Sequence, residues 1–178
     1  MPANCKSGTE ACVLAGGMAT RMGCEKGGLD FHGKTLLEVA RETVKSAGFK
    51  CRVVERDVVP RCGPLGGIIT AMRKTQANRI LFLSCAMPFV TAGLLARMDG
   101  EQADHVFAES EGRVGFPFVI SVGLEGVRET IEAQHAAGNF SIQSLAAALS
   151  AARLAVPKEM LFNINTPTDL EAALKRRA

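Results

Sequence analysis

The chain opens with a short apolar run, Glu10 to Ala15 (EACVLA), that ends in Gly16-Gly17. An uninterrupted apolar run of this length, closed by glycine, predicts a strand buried on both faces, as in a parallel sheet. From Thr35 to Ala47 the period changes. Leu36, Val39, Ala40, Thr43, Val44 and Ala47 fall on one face of a helix that Gly48 stops. Cys51 to Val54 predicts a second strand, and a turn-rich loop through Asp57 leads to Gly63-Pro64-Leu65-Gly66-Gly67-Ile68 and a helix to about Lys74. Ile80 to Ser84 (ILFLS) is the strongest central strand. It runs into Cys85-Ala86-Met87-Pro88, after which Thr91 caps another helix. Ala103 to Ala108 and Phe116 to Val122 predict two strands joined by a polar turn at Glu109 to Arg113. Val127 to Ala136 and Ile142 to Leu154 predict helices. Phe162 to Asn165 reads as a strand end feeding a last helix, with Thr166 as its cap and Pro167 in its first turn.

Strands and helices alternate over the first 100 residues, which predicts an α/β fold of three layers, a mostly parallel sheet with helices on both faces. Ligands of such sheets lie beyond the carboxyl ends of the strands. The loops at Gly16 to Lys26, Asp57 to Gly67, Cys85 to Pro88 and Asn163 to Pro167 all follow strands. They are therefore expected along one edge.

Composition narrows the function classes. At 178 residues the chain is the size of one domain, with 47% hydrophobic and 22% charged residues. No apolar run approaches the roughly 18 residues that span a bilayer, and MPANCKSGTE lacks the order of a signal peptide, so a cytosolic protein without a membrane partner is expected. Net charge is +3, Trp and Tyr are absent, and no basic stripe is interleaved with aromatics, which argues against nucleic acid. Six cysteines without a C-x-x-C pair read as buried thiols. Nothing here fixes the oligomeric state.

The candidate chemistry is phosphate binding. Val13 to Lys26 runs from a strand through glycines to Arg21 and Lys26, so that backbone amides and two cations can meet an anion. Gly28 to Thr35 also satisfies the literal pattern G-x-x-x-x-G-K-[ST]. A P-loop, however, leaves a buried strand directly into its glycines, and MATRMGCEKG cannot be that strand. Lys34 is therefore read as a surface residue near a helix start.

Leu14-Ala15-Gly16-Gly17, Arg21-Met22-Gly23 and Lys26 resemble the opening signature of the molybdenum-cofactor guanylyltransferase (MobA-like) family. Gly63-Pro64-Leu65-Gly66-Gly67 is similar to its second motif, Cys85-Ala86-Met87-Pro88-Phe89 to its C-D-M-P-F, and Asn163-Ile164-Asn165-Thr166-Pro167 to its N-x-N-T-P. The resemblance implies one nucleotide-diphosphosugar-transferase-like domain over residues 1–178, transferring GMP from GTP to the terminal phosphate of molybdopterin, with magnesium. Arg21 and Lys26 would act on the triphosphate. Leu14, Ala15, Gly16, Gly17, Gly63, Pro64 and Gly66 would hold the nucleotide, and Asp57 would accept hydrogen bonds from guanine or ribose. Another nucleotide such as CTP, another phosphorylated acceptor, or a degenerate nucleotide-binding protein are the alternatives.

The family aspartate expected to hold magnesium is replaced by Ala86, and a methyl group cannot ligate a hard cation. Asn165, Asn163 or Glu25 are the candidates to supply the missing oxygen. The segment between the first helix and Asp57 is shorter than usual for the family, and Gly115-Phe116-Pro117 stands where His-Pro is typical.

Overall fold

The structure, a computed structural model, describes residues 8–16, 26–59 and 62–176. Strand β1 (Thr9–Leu14) lies between two parallel neighbours, β4 (Lys50–Val54) and β5 (Arg79–Ser84). Beyond β5 come β7 (Arg113–Ile120), then β6 (His105–Ser110), then β8 (Ala152–Ala155), giving the order β4-β1-β5-β7-β6-β8. Only β7 runs against the others. A separate two-stranded hairpin pairs β2 (Asp30–Phe31) with β3 (Lys34–Thr35).

Successive side chains of a strand point to opposite faces, and both faces here are apolar. Cys12, Phe82, Phe107 and Phe118 face Leu65, Ile68 and Ile69 of α2 (Pro64–Lys74), Ile131 of α4 (Val127–Ala136) and Leu145 of α5 (Ile142–Ala148). Val13, Leu81, Leu83, Val106 and Val119 face Ala40 and Val44 of α1 (Leu36–Ser46) and Leu95 and Met98 of α3 (Ala92–Gly100). A third cluster lies past the sheet edge. There Phe31, Leu36, Ala86, Ile164 and Ala173 join the hairpin, the loop after β5 and α6 (Pro167–Leu174). The expected mostly parallel sheet, with helices on both faces, is thus observed. Among the described residues no helix is long and apolar enough to cross a membrane.

The caps explain where helices begin. Thr35 Oγ1 accepts from the Glu38 amide while the Glu38 carboxylate accepts from the Thr35 amide, a capping box, and Thr166 and Asp169 repeat the device on α6. Thr91 caps α3 by accepting from Leu94 N.

Three predicted elements differ. The helix expected over 142–154 ends at Ala148, and Ala152–Ala155 instead pairs with β6 as β8. Ser150 takes φ 49°, which breaks the helix, and the sheet edge outweighs the alanine-rich helical propensity. No strand forms over 162–165, because Ile164 N donates to Ala86 O and not to a ladder. The turn between β6 and β7 is tighter than expected. Glu111 and Gly112 both take positive φ, as a two-residue hairpin turn requires, so β7 starts at Arg113.

Residues 28–35, which match the P-loop pattern, form the β2–β3 hairpin, and Lys34 Nζ lies 2.6 Å from Glu42 Oε2 on the exposed surface. They make no phosphate loop.

Phe107 is fully buried and stacks on Phe118 with ring centroids 4.5 Å apart. Phe107→Ala is expected to cost about 3–5 kcal/mol in urea unfolding, and a loss below about 1 kcal/mol would show that this face is not close-packed.

Candidate functional site

Three strand exits are joined by backbone hydrogen bonds beyond the ladders. Ala15 N and Gly16 N both donate to Val54 O at 2.9 Å, and Cys85 N donates to Leu14 O at 3.1 Å. Gly16 is required by this closeness, because a Cβ there would stand 2.6 Å from Glu55 O. At the head of α2, Gly63 has φ 52° and ψ −143°, a conformation that favours glycine, and it turns the chain so that the helix N-terminus faces the same edge. The positive end of that helix dipole suits an anion.

A cavity of about 680 Å³ opens at this edge. Leu14, Ala15 and Gly16 line it from the exit of β1 and Lys26 from the far end of the first loop, Asp57, Gly63 and Pro64 from the second, Cys85 from the third, and Asn163 and Asn165 from the fourth. Gly66 does not line it; its Cα faces Val59 O and the Asp57 carboxylate, and the wall is formed by Gly67. Gly17, Arg21 and Glu25 lie outside the described residues.

The glycine-turn amides are used differently from expectation. Those of Ala15 and Gly16 are taken by Val54 O, so this segment shapes the wall and does not present these two donors to an anion. The clearest cationic feature is Lys26. Its Nζ donates to Asn165 Oδ1 at 2.7 Å, across 139 residues of sequence. Asn165 is itself held, since its Nδ2 donates to Asn163 O at 3.3 Å and its backbone N to Asp169 Oδ2 at 2.9 Å. The hydrogen bond from the Asn165 amide, together with those from Thr166, holds the Asp169 carboxyl below the usual range. This cap therefore contributes stability above the ordinary carboxylate pKa and loses it as pH falls through the lowered value.

The cavity also contains residues that sequence reasoning did not assign, among them Arg56, Ser84, Cys85 and Phe116. Arg56 adjoins Asp57, and a cation beside a loop carboxylate was the available clue. Phe116 had none beyond its place where His-Pro is typical. Burial pushes the Cys85 thiol up to about 11, so it stays neutral, and burial likewise raises Asp57 above the usual carboxylate range.

Among the described residues the donor set does not make a divalent-metal site. Ala86 is 1% exposed and packs with Phe31, Leu36 and Ile164, and its carbonyl already accepts from Ile164 N at 2.9 Å. Asn165 Oδ1, the oxygen expected to replace the missing carboxylate, takes the Lys26 ammonium. Among the described residues Asp57 is the one carboxylate lining the cavity, and no group of three or more His, Cys, Asp or Glu could hold an ion.

Comparison with known proteins matches residues 11–58 and 46–155 to the MobA-like NTP transferase domain. The chain is 31% identical over 189 residues to a molybdenum cofactor guanylyltransferase of Shewanella amazonensis, covering 93% of this chain and 95% of that protein. The crystal structure of molybdopterin-guanine dinucleotide biosynthesis protein A from Archaeoglobus fulgidus shares the fold, with TM-score 0.76 and 23% identity over 93% of this chain and 97% of that one. A Mycobacterium tuberculosis protein crystallised as a complex with manganese also shares it, with TM-score 0.65 and 22% identity over 95% and 98% of the two chains. A divalent metal thus accompanies this fold in at least one protein.

Restoring the family carboxylate tests the packing around Ala86. Ala86→Asp buries a charge among apolar side chains, and the expected loss is on the order of 3 kcal/mol at neutral pH in denaturant unfolding. The folded pKa of the new carboxyl is raised above its unfolded value, so the loss shrinks as pH falls towards about 4. An unchanged stability would show that the position faces solvent.

Proposed function

We propose that this chain, which belongs to the MobA-like NTP transferase family, is a molybdenum cofactor guanylyltransferase that transfers GMP from GTP to the terminal phosphate of molybdopterin. The reading extends to one domain over residues 1–178, working in the cytoplasm on these small molecules without a nucleic-acid or membrane partner. The observation that carries it is the Lys26 ammonium, held by Asn165 in a cavity where all four motif segments meet.

In this reaction an acceptor phosphate oxygen forms a bond to the α-phosphorus of GTP. The bond from that phosphorus to the bridging oxygen breaks, and its electron pair leaves on pyrophosphate. Little covalent work falls to the protein, whose task is to align the two polyanions and stabilise charge on the departing group. Lys26 is suited to the phosphates and Arg56 to the same anionic surface, while Arg21 takes its triphosphate role from the family likeness. Asp57, the cavity's carboxylate, is suited to accept from the guanine N–H groups or the ribose hydroxyls. Phe116 gives the cavity an apolar wall. Magnesium, the ion implied by the family likeness, would arrive with the triphosphate and neutralise part of its charge.

A second reading is favoured by the burial of Ala86: a nucleotide-binding protein that has kept the fold and lost turnover. A transferase using CTP or another phosphorylated acceptor is the third. Pyrophosphate release with each nucleotide and molybdopterin separates them. GTP-specific release supports the leading reading, and binding without release supports the second.

With the wild-type rate in hand, Lys26→Ala is expected to lower kcat/KM roughly a hundredfold, as loss of a preorganised charge donor does. Lys34→Ala is expected to stay within about twofold, since the residue pairs with Glu42 on the surface. Equal losses in the two variants would return the phosphate site to residues 28–35.

A further inference from the structure

We infer that Phe116 is the platform on which the planar pterin ring of the acceptor stacks, and that it sets which phosphorylated acceptor this chain takes. The inference rests on the transferase reading above and names a specificity residue of the same cavity.

Strand β7 presents Phe116 by departing from both of its ladders. Against β6, Phe107 pairs with Phe118 and the next residue, Ala108, pairs with Gly115, so Phe116 and Pro117 have no partner there. Against β5 the pairing ends at Phe82 and Phe118, although β5 runs on beside β1 to Ser84. Bulges of this kind re-aim a side chain and are common beside active sites. Here the sheet parts beyond Phe118, and Ser84 and Phe116 both line the cavity that opens at this edge.

The ring is held from behind. Phe116 is half-buried, with its ring centroid 4.8 Å from that of Phe118, which in turn stacks on Phe107 at 4.5 Å. Phe107 and Phe118 are fully buried. An aromatic series thus runs from the core to the cavity, where Phe116 is the one aromatic ring among the described lining residues. A fixed aromatic face offers a flat heterocycle contact area at little cost in side-chain freedom.

Position along the edge assigns the ring to the acceptor. The strands follow the order β4-β1-β5-β7, so the exit of β4, which leads to Arg56 and Asp57, lies three strand spacings, roughly 14 Å, from β7. Lys26 lies between these ends, close enough to Cys85 at the β5 exit to favour its thiolate form. Two substrates that join at their phosphates extend in opposite directions from that point. A nucleoside whose base or ribose reaches Asp57 therefore leaves the β7 end to the ring of its partner, and a pterin is flat enough to stack there.

The test is equilibrium dialysis of the full chain against molybdopterin and, separately, against GTP, with pyrophosphate release measured alongside. Phe116→Ala and Phe116→Leu are each expected to weaken molybdopterin binding about tenfold or more and to raise its KM in step, while GTP binding stays within about twofold. Phe116→Tyr, which keeps the ring, should stay within about threefold for both ligands. The leucine variant retains an apolar wall against Phe118, so it separates stacking from simple burial even where the alanine variant fails to fold. Unchanged molybdopterin binding in Phe116→Leu overturns the inference and leaves the transferase reading standing, as does an equal loss of both ligands or a loss confined to GTP. A wild-type chain that binds GTP but not molybdopterin overturns the acceptor in that reading, and this inference with it.

Discussion

The working edge depends on three hydrogen bonds that continue past the strand ladders: Ala15 N and Gly16 N to Val54 O, and Cys85 N to Leu14 O. They hold the exits of β4, β1 and β5 side by side, and so fix where the following loops begin. Close approach has a structural cost that only glycine meets, since any side chain at Gly16 would enter the Glu55 carbonyl. In return, strand β4 both pairs with β1 and leads through Arg56 and Asp57 into α2. The short segment between α1 and Asp57 works because one strand performs both tasks.

A second constraint comes from the opposite side of the cavity. Phe31, Leu36, Ala86, Ile164 and Ala173 form a cluster outside the main sheet, extended by Phe89 and Phe162 and covered by the Arg176 guanidinium 4.3 Å from the Phe162 ring centroid. This cluster attaches α6 and the asparagine loop to the rest of the fold. Its centre is the position at which the family likeness expects a metal ligand. Here that position has become a packing position.

Much of this was legible in the sequence. The apolar runs of β1 and β5, the helical period of α1 and the threonine caps of α3 and α6 each rest on local physics, and each appears close to where it was expected. The alternation of strand and helix set the strand-exit loops on one edge and so singled out Asp57, and the motifs singled out Lys26 and Asn165, all three of which line the cavity. What failed depended on distant partners. The alanine-rich segment at 152–155 became a strand because β6 offered it an edge, and 162–165 did not because Ala86 claimed its amide. The turn amides at Ala15 and Gly16 looked available for an anion until β4 was placed beside them. No local pattern announces any of these, nor that Phe116 would line the cavity.

The central claim is that the Lys26 ammonium meets the phosphates of a bound nucleotide. Its most direct test is amine labelling of the full chain, read by mass spectrometry lysine by lysine, with and without saturating GTP. The account predicts that GTP slows acetylation of Lys26 at least fivefold and leaves exposed Lys34 unchanged. Equal labelling of Lys26 in both conditions, with GTP shown to be bound, would contradict it.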